Sequence, residues 1–368
     1  MEAVFNSAKR ACYAGLDSIA LRREIAQRIC TAVPFDSYAF STCDPDTGLM
    51  NHTVASGVPE SLAKTYVEIF YPTVLARLSI DLARDGRKVL SIADQPPAAR
   101  RAIRRAGLQQ QLHVIASANG RLWGTWCLMR GRASEAVTGR DYNLLNRLTP
   151  HLVRGLQSAA LIDRAISPDP ADRDAAGVLV LDRRNRPLLR TGATTAWIED
   201  LSDIGLRMTE NVPLAIIALA SQVRAMCDER GFEQQLRARG RSGRWYTMRA
   251  SLAEPDASGE CAVVVVIRPA LSQEVGRVLT ALYALSPRER QVIAAVARGE
   301  ATKTIADALG LSPHTVTEHI QRACDKIGVR GRKALIAKLF FDGYAPALKT
   351  GRPTLADAAR QQRAQKTA

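Results

Sequence analysis

The spacing of apolar positions changes several times along the chain, and each change marks an element. Ile19, Leu21, Ile25, Ile29 and Val33 return at near-helical intervals, so residues 1 to about 31 are expected to be helical, with Pro34 ending the run. Phe35–Phe40 reads as a strand, Asp44-Pro45-Asp46-Thr47-Gly48 as a turn, and Asn51 to Ala55 as the returning strand. Helical spacing resumes over Ser61 to Ala83, with a break near Pro72. A short strand at Val89–Ile92 and an arginine-rich helix within 97–112 follow, the latter holding Arg100, Arg101, Arg104 and Arg105. Gln111 to Ala118 and Leu122 to Met129 form a hairpin about the Asn119-Gly120 turn. A helix from Thr138 to about Ile166 closes this region.

A polar stretch, Ser167 to Ala175, with two prolines reads as a linker. Beyond it, Val178 to Asp182 is a strand, Arg183 to Arg186 a turn and Pro187 to Arg190 a return strand. A helical middle is expected from Thr194 to Leu236. Arg244 to Arg249 alternates as a half-buried strand does, and the β-branched run Cys261 to Ile267 reads as a central strand. Leu271, Val275, Val278, Leu279 and Leu282 then make a helical stripe that suits either a dimer contact or packing on its own domain.

The segment Leu285–Lys338 has the sharpest local chemistry. Ser286, Pro287 and Glu289 form a capping box with proline at the first helical position, and Gly299 supplies a left-handed stop. A second helix is expected from about Thr302, capped by Thr302 itself, to Leu309, with Gly310 ending it. Ser312 then caps a third helix that again starts on proline. Two helices meeting at a tight glycine turn are the mark of a helix-turn-helix. In the third helix Val316, Ile320, Ala323 and Ile327 recur at spacings of four, three and four, which defines the buried face. The outward face carries Thr317, Glu318, Gln321, Arg322 and Asp325. A glutamate accepts from the cytosine amino group, and glutamine pairs bidentately with adenine.

These residues resemble the LuxR/NarL-type helix-turn-helix. The resemblance rests on Leu285-Ser286-Pro287-Arg288-Glu289, Gly299, Lys303, Ile305-Ala306, Leu309-Gly310, Ser312, Thr315-Val316, His319, Ile327-Gly328-Val329 and Arg332. It implies base contacts from Thr317, Glu318 and Gln321, directly after the Thr-Val pair. The expected phosphate contacts are Thr302, Lys303, Thr315, His319, Arg322, Lys326, Arg330 and Arg332. The chain departs from the family in having Thr317 where lysine or arginine is common, and Ala301 where a capping serine is common.

The order of elements before the linker, with Val33-Pro34-Phe35-Asp36-Ser37-Tyr38, resembles a GAF sensor domain. That resemblance implies a sheet with a pocket on one face, for which Phe40, Phe70, Tyr71, Trp123 and Trp126 are the candidate lining residues or, on the plainer reading, ordinary core. The region after the linker resembles a PAS domain, without a residue suited to haem or flavin. The fold class expected is therefore α/β (α+β) multidomain, with GAF-like and PAS-like domains followed by an all-α helix-turn-helix. The expected organisation is a GAF-like domain at 1–166, a linker at 167–175 and a PAS-like domain at 176–270. A connecting helix at 271–284, the DNA-binding domain at 285–345 and a basic disordered tail at 346–368 complete it. Leu339, Phe340, Phe341 and Tyr344 are numerous for so small a domain and suit a symmetric contact.

Charge agrees with the placement of the helix-turn-helix. The net charge is +15, distributed as +6 over 1–170, +1 over 171–270, 0 over 271–284, +4 over 285–345 and +4 over the last 23 residues. The final quarter thus carries about half of the excess, as a phosphate-binding end should. Seven cysteines without a Cys-x-x-Cys pair argue against a disulfide framework or a zinc site and suit a reducing cytoplasm. No membrane span, GxxxxGK[ST] phosphate loop or GxSxG elbow is present. The acidic pair of a phosphorylatable receiver is also absent, and neither a metal nor a cofactor is expected. The reading is a cytoplasmic transcription regulator, not an enzyme, that binds double-stranded DNA as a homodimer. A small-molecule effector and RNA polymerase are left open as further partners. The alternatives are a sensory or nucleotide-binding signalling enzyme whose helical end is an interaction module, and a sigma factor.

Overall fold

The computed structural model describes residues 1–33, 35–65, 88–91, 94, 97–105, 107–131, 137–165, 176–206, 211–226, 233–254, 261–270, 285–297, 299–327, 329–332 and 335. Phe70, Tyr71, the linker at 167–175, the helix expected at 271–284 and the tail at 346–368 lie outside the described residues. The chain divides into two compact units, Met1–Leu271 and Ser272–Ala368.

The first unit opens with two helices, α1 (Glu2–Cys12) and α2 (Ser18–Cys30), where the apolar spacing suggests one run. Asp17 separates them: its carboxylate accepts from the backbone N–H groups of Ile19 and Ala20 and so starts a new helix. Then come β1 (Ser37–Cys43), β2 (Met50–Ser56), α3 (Glu60–Thr65), β3 (Val89–Ser91), α4 (Pro97–Arg105), β4 (Leu108–Ala118), β5 (Arg121–Gly131) and α5 (Gly139–Ala165). The arginine-rich helix is thus shorter than expected, and β4 starts at Leu108. The five strands form an antiparallel sheet in the order β2-β1-β5-β4-β3. α2 and α5 pack on its strands, and α1 packs on both helices.

A second sheet follows within the same unit. It comprises β6 (Gly177–Leu181), β7 (Pro187–Arg190), β8 (Gln234–Arg239), β9 (Trp245–Leu252) and β10 (Val263–Pro269). Its order, β7-β6-β10-β9-β8, repeats that of the first sheet strand for strand. α6 (Gly192–Asp200) and α7 (Leu214–Ala225) lie between β7 and β8 in the chain. α7 is apolar over its first seven residues, 214–220, and is buried against both its own sheet and β2. The helical middle expected to reach Leu236 therefore ends earlier: 234–239 is a strand, with Leu236 and Ala238 buried in the core.

The two sheets are joined by buried polar contacts. Arg237 of β8 reaches the β1–β2 turn, where its Nε lies 3.0 Å and its Nη2 2.8 Å from the Asp44 carboxylate. Asp203 accepts from the backbone N–H of Thr53 at 2.7 Å and of Leu214 at 2.8 Å. Beside it, Ile204 forms a parallel bridge with Val54 on the edge strand β2. Gly205, with φ +71°, permits this: a Cβ there would sit 2.0 Å from the Ala55 carbonyl oxygen.

The second unit holds α8 (Pro287–Ala297), α9 (Thr302–Leu309) and α10 (Pro313–Ile327) around a small apolar core of Val292, Val296, Ile305, Val316 and Ala323.

Candidate nucleic-acid interface

The capping box forms as its residues require. The Glu289 backbone N–H donates to Ser286 Oγ at 3.2 Å, and the Ser286 N–H donates to Glu289 Oε2 at 2.7 Å. The same Glu289 oxygen holds Lys326 Nζ at 2.6 Å, which ties α8 to the end of α10. Burial opposes ionisation of this carboxyl, but the bonds from Lys326 and Ser286 prevail and hold its pKa below the ordinary value. Arg288 donates to the Leu309 carbonyl at 2.9 Å and so fastens α8 to the C-terminal end of α9.

The turn is built from left-handed Gly310, φ 63°, whose N–H returns to α9. Ser312 Oγ then accepts from the Thr315 N–H at 3.0 Å and starts α10. One expectation fails here. The N-cap of α9 is Ala301, without a side-chain cap, and Thr302 is the first helical residue. The Thr302 hydroxyl instead accepts from Arg332 at 3.2 Å.

α10 buries Val316, Ile320, Ala323, Cys324 and Ile327 and presents the opposite face to solvent. Thr317, Glu318 and Gln321 are all exposed on that face. Each has a partner on its own helix: Thr317 Oγ1 donates to the Pro313 carbonyl at 3.0 Å, and Gln321 Nε2 donates to Asp325 at 3.0 Å. Glu318 lies between two cation-forming side chains, with Arg322 at 3.4 Å and His314 at 3.6 Å. Such exposed pairs are weak and exchange readily for other partners. His314 was not singled out from the sequence, yet its side chain is 85% exposed at the start of the helix. Its signal was its place one residue after the helix-starting Pro313.

The expected phosphate-contacting residues divide in two. Lys303, Arg322 and Arg330 are exposed, and Lys303 and Arg330 make no ion pair among the described residues. Lys326 and Arg332 are occupied within the unit, by Glu289 and by Thr302 with the Glu300 carbonyl. Thr302, Thr315 and His319 are half-buried, and His319 Nδ1 is buried without a partner.

The candidate pocket aromatics of the first sheet are placed differently from one another. Phe40 and Trp126 are cross-strand partners, both 0% exposed, and their rings stack at 5.0 Å. They lie on the face that also carries Gly124, whose absent Cβ is met by Leu156 of α5. The opposite face borders a small apolar cavity that is partly open to solvent. Ala39, Ser41, Thr125 and Cys127 line it, whereas Phe40, Trp123 and Trp126 do not. Among the described residues no cluster of three or more His, Cys, Asp or Glu is arranged to hold a metal ion. No described helix is long and apolar enough to cross a membrane.

Three short helices, the first and third started by serine caps, with a left-handed glycine turn and a polar outward face on the third, define a helix-turn-helix domain. Residues 283–339 match the family of bacterial regulatory proteins designated luxR (GerE). The spore germination protein GerE of Bacillus subtilis is 40% identical over 59 residues, covering 16% of this chain and 80% of that protein. The transcriptional regulatory protein UhpA of Escherichia coli K12 is 47% identical over 60 residues, covering 16% of this chain but 30% of UhpA. A solved structure of Escherichia coli SdiA overlaps 87% of this chain and 88% of its own, at 13% identity and a TM-score of 0.28. The chain belongs to the luxR family of bacterial regulatory proteins through this C-terminal domain.

Proposed function

We propose that the chain is a sequence-specific, DNA-binding transcription regulator that acts as a homodimer under the control of its N-terminal unit. The observation that carries this is the exposed face of α10 within a luxR-family domain. Thr317, Glu318 and Gln321 enter the major groove and meet base edges, each good contact being worth about 1–3 kcal/mol of discrimination. Lys303, Arg322 and Arg330 meet phosphates on either side, with Thr315 and His319 closer to the helix start. Lys326 acts one step back, by holding α8 against α10, and Arg332, beyond the end of α10, by binding Thr302 at the start of α9. Two copies read half-sites about one helical turn apart.

The domain organisation proposed is GAF-like at 1–166 and PAS-like at 176–270, with 271–284 connecting to the DNA-binding domain at 285–345. The repeated strand order of the two sheets, each with helices packed on its strands, supports two related sensor-like modules. The cavity on the first sheet supports control by a small molecule, which acts only if it binds two arrangements of the chain with different affinity. Cytoplasmic location follows from the regulatory role proposed. The test is capture of genomic fragments by the purified intact chain. Enrichment of fragments that share one element supports the reading; recovery of genomic DNA in proportion to abundance refutes it.

A further inference from the structure

One strongly charged element lies outside the helix-turn-helix. α4, of sequence PAARRAIRR, holds four arginines and no acidic residue. Arg101, Arg104 and Arg105 are exposed, and Arg100 is half-buried. At 3.6 residues per turn, positions 101, 104 and 105 fall within about 100° of one another, so they share one face. Their side chains make no ion pair or hydrogen bond among the described residues. The helix also carries two like-charge pairs at a spacing of four, Arg100 with Arg104 and Arg101 with Arg105, which work against it. Arg104 and Arg105 gain from the helix dipole in the last turn, but Arg101, at mid-helix, does not. A face of unpaired guanidinium groups that repel one another is relieved by an anion laid along it.

The fold presents that face from a fixed place. Pro97 starts α4, and Gly107, with φ +83°, donates its N–H to the Arg104 carbonyl at 3.0 Å just past the helix end. α4 packs on α3 and on β4, which neighbours the edge strand β3. The second sheet meets the first through β2, at the opposite edge, so α4 stands away from that joint. The anion that fits is extended. Arginine forks match phosphate oxygens bidentately. From Arg101 to Arg105 the row runs about 6 Å along the helix. A duplex offers one charge per about 1.7 Å of its axis, so such a row meets more than one phosphate.

We propose that the outward face of α4 is a second phosphate-binding surface, through which the first unit grips the duplex flanking the element that α10 reads. The inference rests on the DNA-binding reading above and adds a contact outside the helix-turn-helix. Arg101, Arg104 and Arg105 meet backbone phosphates and carry no base preference of their own. A chain already held by α10 offers α4 to the same duplex intramolecularly, so contacts too weak to bind alone add to the affinity. The surface acts on affinity and salt dependence and leaves the choice of sequence to α10.

The test uses the full chain and an element recovered by genomic capture. The duplex is either trimmed to the element or extended by about two helical turns on each side. Affinity is measured over a salt series, in which log K falls by about 0.9 per decade of salt for each phosphate neutralised. Wild type is expected to give a steeper slope on the extended duplex than on the trimmed one. Arg101→Gln/Arg104→Gln/Arg105→Gln, shown folded by its circular dichroism melt, is expected to lose about 2–3 of the slope on the extended duplex per protomer in contact. Its affinity for the trimmed duplex should be unchanged. Arg101→Lys/Arg104→Lys/Arg105→Lys keeps the charges and should keep most of the slope. Arg10→Gln/Arg140→Gln/Arg154→Gln removes three exposed arginines elsewhere in the first unit and should keep all of it. Equal wild-type slopes on the two duplexes, an unmoved slope in the α4 variant, the same loss on both duplexes, or the same loss in the second set of arginines would each overturn the proposal. Such a result with wild type still preferring the element over a shuffled duplex sinks this inference alone. Loss of that preference in wild type sinks the regulatory reading with it.

Discussion

Replacing Arg237 with alanine tests how the two sheets are held together. The Arg237 side chain is 5% exposed and that of Asp44 is 1% exposed, so the pair is screened from water. Two guanidinium nitrogens bind the Asp44 carboxylate at 2.8 and 3.0 Å, and Nη2 also meets Asp46 at 2.5 Å. Burial alone would lower the Arg237 pKa, but the two carboxylates outweigh it and raise it. In Arg237→Ala, Asp44 keeps backbone N–H donors from residues 46 and 237 but loses its counter-ion. Breaking a buried pair from one side costs about 3–5 kcal/mol. Asp46 adds little, because it is more exposed and retains Arg121 at 2.7 Å. The assay is urea denaturation at pH 7, followed by far-ultraviolet circular dichroism and by tryptophan fluorescence. Asp44 belongs to the first sheet's turn and Arg237 to the second sheet, so both signals should shift together. Arg237→Met/Asp44→Asn removes the stranded charge and should recover part of the loss. A loss below about 1 kcal/mol in Arg237→Ala would refute the claim that this pair fastens the joint.

Three further outcomes are expected. Ala301→Ser places a hydroxyl at an extended cap position that lacks a side-chain bond, and should stabilise the C-terminal domain by about 1 kcal/mol in thermal melts. Glu289→Ala removes half of the capping box and the Lys326 partner, and should cost about 1–3 kcal/mol. Because the folded pKa of Glu289 is lowered, its contribution is present above the unfolded value near 4.5 and is lost as pH falls through the folded value. Asp203 behaves oppositely. It retains some surface exposure, yet its carboxyl is enclosed, and burial raises its pKa from 3.8 to about 6 against the bonds from Leu214 and Thr53. The folded state then holds the proton more tightly than the unfolded chain, so stability should fall as pH rises from about 4 to past 6. The stability of wild type relative to Asp203→Asn should drop over that window by on the order of 3 kcal/mol at most. A difference that is flat or that grows with pH would contradict this placement.

The helix-turn-helix was legible because its determinants are local. Ser286 with Glu289, Ser312 with Thr315, and Gly310 all act within four residues of their partners. What failed even there was Thr302, whose hydroxyl is drawn to Arg332, thirty residues away. Strand β8 escaped because the helical reading ran on to Leu236, and what holds the strand is distant: Arg237 is buried against Asp44, and the half-buried Arg239 lies 3.4 Å from Asp163. The sequence pointed to the aromatics Phe40 and Trp126 as pocket candidates, whereas the register puts them on the face opposite Ala39, Ser41 and Thr125, which border the cavity. Large rings fill the volume they face, and small side chains leave it empty. The cavity therefore belongs to the residues that looked least like a site.

The central claim is that α10 reads sequence. Its most direct test measures the affinity of the intact chain for a captured genomic element and for a shuffled duplex of equal length, at one salt concentration. Glu318→Ala and Gln321→Ala should each narrow the ratio of the two affinities, by about 1–3 kcal/mol at the base pair concerned. Lys303→Ala should weaken both duplexes alike and leave the ratio in place. If wild type binds the two duplexes equally, or if all three variants lose affinity uniformly, α10 is not the reading element.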